Sequence, residues 1–155
     1  MRLPVIQGVI RRRVLVNYRI VPDVMQAQLP ARFRPKLHGD HAIAGICLIR
    51  LEEIRPRLVP RIFGLSSENA AHRVAVVWET DSGESREGVF IPRRDTDSLV
   101  SSLAGGRLFP GEHHHARFNI TEDLEQLNLR MQSRDGEASV RVLGVRRRLA
   151  CYFRF

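Results

Sequence analysis

Apolar and polar residues alternate along much of this chain, the period-two pattern of strands that bury one face. Leu127, Leu129 and Met131 alternate with Asn128, Arg130 and Gln132, so one side of that segment is expected to pack and the other to meet water. Val14 to Val21, Phe33 to Leu37, His41 to Leu51, Arg73 to Thr80, Arg86 to Ile91, His113 to Ile120, Leu124 to Gln132 and Glu137 to Val145 read as strands. Turns fall at Gly39-Asp40, Asp81-Ser82-Gly83 and Arg134-Asp135-Gly136, where glycine accepts positive φ without steric cost. The longest apolar run, Ala42 to Ile49, fits a buried strand, and none approaches the roughly 18 residues of a membrane span.

Two short helices are expected among the strands. Pro22 suits a first helical position, and Met25 and Leu29, four apart, share a face before Pro30 ends the helix. Asp95 or Thr96 can cap the second, Leu99, Val100 and Leu103 give it an apolar stripe, and Gly105-Gly106 stops it. Arg55 to Gly64, with two prolines and a glycine, reads as a loop. The expected fold is α+β, mainly antiparallel β, with a sheet that curls or closes to hide its edges. It forms one domain over residues 1–155, with 146–155 a basic tail.

Composition narrows the class. The 155 residues are 43% hydrophobic and 27% charged, ordinary globular proportions. Met1 to Pro4 offer no apolar stretch before a cleavage site, and Cys47 and Cys151 stand far apart. No secretion signal and no disulfide framework are expected, and a reducing cytoplasm is the default. The net charge is +8, nearly all of it arginine, because Lys36 is the only lysine. Arginine grips carboxylate or phosphate with a planar fork but does not do the chemistry of a desolvated amine. A GC-rich genome is an equally good source of so much arginine.

Four constellations carry chemistry. The first is Gly105 to Ala116, a glycine-bounded loop entering a strand with His113, His114 and His115. Alternation puts His113 and His115 on one face and His114 on the other. A metal would need a third ligand from His38, His41 or His72, and no metal or cofactor is expected. General acid–base work is natural for imidazole; a solvated strand entrance explains the same residues. The second is Ser66 to Arg73, offering Glu68, Asn69, His72 and Arg73 at a strand mouth, where ligands tend to sit; a polar loop with a surface ion pair is the plain alternative. The third is Arg93-Arg94 before a helix N-terminus, an anion-favouring place, with Asp95 or Asp97 as a structural partner for one arginine. The fourth, Arg11-Arg12-Arg13 and Arg146-Arg147-Arg148, reads as solvated ends. Only 6% of residues are aromatic, which argues against base stacking.

From Asp95 to Ala116 the pattern of an acid-led helix, Gly-Arg, an aromatic, a glycine and paired functional residues resembles the acetoacetate decarboxylase-like superfamily. Within it the chain is similar to the branch called domain of unknown function 2071 (DUF2071). Asn17-Tyr18 to Leu29-Pro30, Ala44-Gly45-Ile46-Cys47, Ile54-Arg55-Pro56 and Glu68 to Arg73 agree. The resemblance implies a cone-shaped antiparallel barrel with a central pocket, often oligomeric, in which a lysine of lowered pKa forms an imine with a keto acid. Matching Gly106-Arg107 puts His114 and His115 at or beside the family's paired lysines, and its glutamate at Glu68 or Asn69. Imidazole forms no imine, and Lys36 lies in an early hairpin. Related chains also run on beyond the final hairpin, so the barrel is expected to lack closing elements, by a native short ending or a shifted reading frame, and a second subunit is expected to cover the edge.

The leading expectation is therefore a domain that binds a small anionic carboxylate or carbonyl compound, without imine chemistry. Arg73, Asn69, Arg107 and Arg94 would hold the ligand. The second reading is an enzyme using His114 or His115, with Glu68, on such a compound. The third is a basic nucleic-acid-associated protein. A homo-oligomer is expected, and no membrane partner.

Overall fold

A computed structural model describes residues 5–98 and 112–145. Its elements in chain order are β1 (Ile6–Ile20), α1 (Pro22–Gln26), β2 (Arg34–Pro35), β3 (Leu37–His38), β4 (His41–Pro56), a 3-10 turn (Arg61–Phe63), β5 (Leu65–Glu79), β6 (Ser85–Thr96), β7 (Glu112–Glu122), β8 (Gln126–Ser133) and β9 (Ser139–Val145). The strands form one nine-stranded sheet in the order β1-β4-β5-β6-β7-β8-β9, with β2 beside β5 and β3 beside β4. Every pairing is antiparallel except β6 with β7, which run parallel over Arg93–Glu112 to Thr96–His115.

The sheet curls into a half-barrel, because the same face of each long strand is apolar. Ile46, Leu48 and Ala70 pack on Ala116, Leu129 and Met131, with Val14, Val16, Val140 and Val142 around them. The first half of the sheet thus closes on the last. Leu48, Leu129 and Met131 are fully buried. A second cluster lies further along the same face: Met25 and Leu29 cover Ala42, Val74 and Val76, backed by Phe33, Trp78 and Phe90. Phe33 meets Trp78 edge-on at 5.8 Å, and the Trp78 ring lies over Gly88, where an added Cβ would come within 3.0 Å of it.

Gly45 of β4 sits between Asn17 of β1 and Arg73 of β5. A Cβ there would lie 2.3 Å from the Val16 carbonyl oxygen and 2.7 Å from Asn17 Oδ1. Only glycine lets the Asn17 side chain cross the strand to accept a 2.9 Å hydrogen bond from Arg73.

The structure corrects several expectations. Asp95 and Thr96 are the last residues of β6, and Arg93 and Arg94 lie inside that strand; the Thr96 hydroxyl accepts from the Ser98 amide, and the helix either residue was expected to cap lies outside the described residues. Cross-strand partners claim the Asp95 carboxylate, which a cap would have needed free. The stretch from Leu99 to Gly106 expected to be helical lies outside the described residues, as do Arg107 and the tail 146–155. Ser66 to Arg73 is strand, not loop. Its small residues hid the alternation, since Ala70 and Ala71 are buried on opposite faces. Arg12 is no solvated end: its side chain is only 10% exposed. The Gly39 and Gly136 turns have the expected positive φ. Among the described residues no helix is long and apolar enough to cross a membrane.

Candidate functional site

Strand register aligns the polar residues of the concave face. His72 of β5 faces Arg93 of β6, Asp95 faces Ala70, and across the parallel pairing Asp95 stands beside His114 of β7. Alternation then gives one surface carrying Glu68, His72, Arg93, Asp95 and His114, between the two apolar clusters.

Asp95 is the centre of this surface and is fully buried. Its Oδ2 accepts from His72 Nε2 at 2.8 Å and from Arg93 Nε at 3.0 Å, and its Oδ1 accepts from Arg93 at 2.8 Å. Burial alone would raise the Asp95 pKa, but hydrogen bonds from His72, Arg93 and Ser133 outweigh it and hold the carboxyl at about 2. Asp95 is therefore ionised and acts only as an acceptor, so His72 Nε2 donates to it and Nδ1 is turned away from the carboxylate.

Arg93 joins that dyad to the β8–β9 turn. It donates to Ser133 Oγ at 2.5 Å, to Asp135 Oδ2 at 2.8 Å and to Glu137 Oε2 at 2.9 Å. The hydrogen bond to Asp95 raises its pKa above the ordinary arginine value. Asp135 is lowered, first by Ser133, then by the Glu137 amide and Arg93. His114 completes the chain, with Nδ1 2.8 Å from Asp135 Oδ2.

The hollow beside this network holds about 280 Å³ and lies between β9 and the β4–β5 surface. Tyr18, Gly45, Ile46, His72, Arg73 and Ser139 are among its lining residues, and no carboxylate is.

Glu68 belongs to a separate cluster at the other end of the concave face. It receives Arg12 at 2.6 Å and lies 3.6 Å from Arg50, and Arg12 also reaches Glu122 of β7 at 3.0 Å, tying the first strand to the seventh. Burial pushes the Glu68 carboxyl up further than the two arginines pull it down.

The expected site residues therefore divide. His72 reaches the hollow with its side chain, whereas Arg73 borders it through its backbone, because alternation turns its guanidinium to the opposite face, where it bonds Asn17. His114 shares the Asp95–Arg93 network, while Glu68 has different partners. Asn69, Arg94 and His115 occupy the opposite face: Asn69 donates to Ser67, Arg94 stands beside His113 and His115 beside Thr96. Burial lowers the pKa of Arg94, and His115 Nδ1 is buried without a hydrogen-bond partner. His114 and His115 thus do not act on one hollow. Among the described residues no His, Cys, Asp and Glu side chains gather as a metal site. Sequence reasoning expected one arginine to pair with Asp95 or Asp97, and Arg93 pairs with Asp95; it missed that His72 and Asp135 join them. The Arg-x-Asp spacing of Arg93 and Asp95, which puts both on one face of a strand, was the available signal.

A curled antiparallel half-barrel with few helices and an ion network lining its inner face defines a domain of the acetoacetate decarboxylase-like fold. The crystal structure of acetoacetate decarboxylase from Legionella pneumophila superposes on it with a TM-score of 0.60 at 22% sequence identity, over 83% of this chain. The match spans 45% of that enzyme's chain, so this chain corresponds to less than half of it. The chain itself belongs to the DUF2071 family, described as an uncharacterized conserved protein, whose model matches residues 9–150. A search of curated proteins found no significant match.

Proposed function

We propose that this domain binds a small organic acid, a short carboxylate or carbonyl compound, in the hollow beside His72, and does so without imine chemistry. The observation that carries the reading is the hollow of about 280 Å³ lined by Tyr18 and by His72, whose Nε2 is fixed on the buried Asp95. That volume sits at the low end of small-molecule sites and suits a short acid rather than a nucleotide. His72 supplies an imidazole, Tyr18 a hydroxyl, and no lining carboxylate opposes an anion. The acetoacetate decarboxylase of similar fold acts on a molecule of this size. Here the one lysine, Lys36, pairs with Glu87 on an exposed part of the surface, so an amine nucleophile is not at the hollow.

A second reading, acid–base catalysis on such a compound, is favoured by the Asp95–His72 pair. An ionised, buried carboxylate that fixes the tautomer of an imidazole at a cavity is the arrangement of a general base. That role falls to His72.

The test is titration calorimetry with acetate, pyruvate and acetoacetate, together with borohydride treatment of the mixtures. At least one acid binds wild type, and His72→Ala weakens it tenfold or more. No borohydride adduct forms. Absence of binding by all three acids, or an adduct on Lys36, overturns the reading. Turnover lost in His72→Ala with binding retained separates the catalytic reading from the first.

A further inference from the structure

The far end of the β4–β5 ribbon exposes apolar side chains that a folded chain normally hides. Leu58 is 96% exposed, Ile62 85% and Phe63 65%. Val5, whose carbonyl accepts from the Arg57 amide, lies alongside and is also exposed. Large apolar groups gathered on one protrusion mark a surface that meets something.

The tip is held rigidly. Glu53 adopts φ +56°, the left-handed region that disfavours a side chain. Its carboxylate grips Arg61 through two hydrogen bonds of 2.7 and 2.9 Å, and Arg55 as well. Gly64 packs so closely on Glu53 that a Cβ would lie 2.6 Å from its Cα. Backbone strain, a forked ion pair and a glycine contact together fix Leu58, Ile62 and Phe63 outward.

Charge decides the occupant. From Ile54 to Ser67 the sequence has three arginines and no acidic residue, in a chain of net charge +8. Glu53 is shared by Arg55 and Arg61, so the tip keeps a net positive charge, and two copies meeting tip to tip would bring Arg57 of each against the other. An anionic bilayer surface neutralises the arginines at its headgroups and takes the apolar side chains at the acyl boundary.

We infer that this ribbon tip is a membrane-surface anchor: Leu58, Ile62 and Phe63 enter the interface of an anionic bilayer while Arg57 meets its headgroups. The domain then lies on the membrane without crossing it. The inference is independent of the hollow and its ligand.

The experiment is co-sedimentation of the whole chain with vesicles of phosphatidylcholine alone or with phosphatidylglycerol added. Wild type sediments with the anionic vesicles and not with the neutral ones, and added salt releases it. The Leu58→Ser/Ile62→Ser/Phe63→Ser variant binds at least tenfold less, with Trp78 fluorescence unchanged to show that it folds. Leu58→Ser alone, at a side chain that touches almost nothing, weakens binding in the same direction. Failure of wild type to bind anionic vesicles, or equal binding by the triple variant, overturns the inference. So does a lipid-free dimer that the triple variant dissociates, which would assign the tip to a second copy of the chain.

Discussion

Asp95→Asn should remove about 2.5 kcal/mol of stability at pH 7. The fold holds the carboxyl at about 2, against an ordinary value of 3.8, and each unit is worth about 1.4 kcal/mol. The sign follows from the lowered pKa. The contribution is complete above the unfolded value, erodes as pH falls from about 4 toward 2, and is gone below. At pH 3 roughly half should remain. Asparagine keeps the size and one acceptor oxygen but loses the charge. Arg93 retains Asp135 and Glu137, so the loss should stay below the 3–5 kcal/mol, roughly, of an orphaned buried ion. Urea unfolding read by Trp78, the only tryptophan, measures it, with the slope unchanged if the folded state is intact. Subtracting the variant from wild type at pH 7, 5 and 3 removes the shared titration of the other carboxylates. A difference under about 0.5 kcal/mol at pH 7, the size of an ordinary surface substitution, would refute the reasoning. So would a difference that does not shrink between pH 5 and pH 3.

Arg93→Met leaves the Asp95 charge buried with only His72 and Ser133 and should cost about 3–5 kcal/mol; hydrogen exchange should rise first around Ser133 to Ala138, whose turn it releases. Gly45→Ala forces β1 and β4 apart against the Val16 carbonyl and should cost about 2–3 kcal/mol in urea unfolding. Met131→Ala, at a fully buried position facing Phe118, should cost about 2–5 kcal/mol by the same measurement. Arg86→Ser, in an exposed pair with Glu84, should change stability by less than about 0.5 kcal/mol and serves as the control.

Much of the architecture was legible in residue order, because period-two alternation and turn glycines are local signals. Leu127 to Met131 declared their buried face, and Gly136 its turn. What alternation could not show was length and pairing. β5 begins at Leu65 because Ser67, Glu68 and Ala70 find partners across the sheet, information held in β1, β4 and β6 rather than in the segment itself. Asp95 was misread for the same reason. A short acid after two arginines has the local grammar of a cap, and only the arrival of His72 from a neighbouring strand makes it a buried counter-ion. The hollow was foreseen in part. Sequence reasoning brought the stretches near residues 70 and 114 together, and they do meet across β6, but His72 rather than Glu68 reaches the cavity.

The lone parallel seam between β6 and β7 divides the molecule mechanically. On one side lies a plate of long strands, on the other a three-stranded flap, and only four residue pairs of backbone register join them. Arg93 works across that joint as a latch, gripping the flap through Asp135 and Glu137. The backbone seam is short, so side chains carry the rest of the joint: the apolar packing of Leu48 and Ala70 on Ala116 and Leu129, and the Arg12–Glu122 pair at the far end.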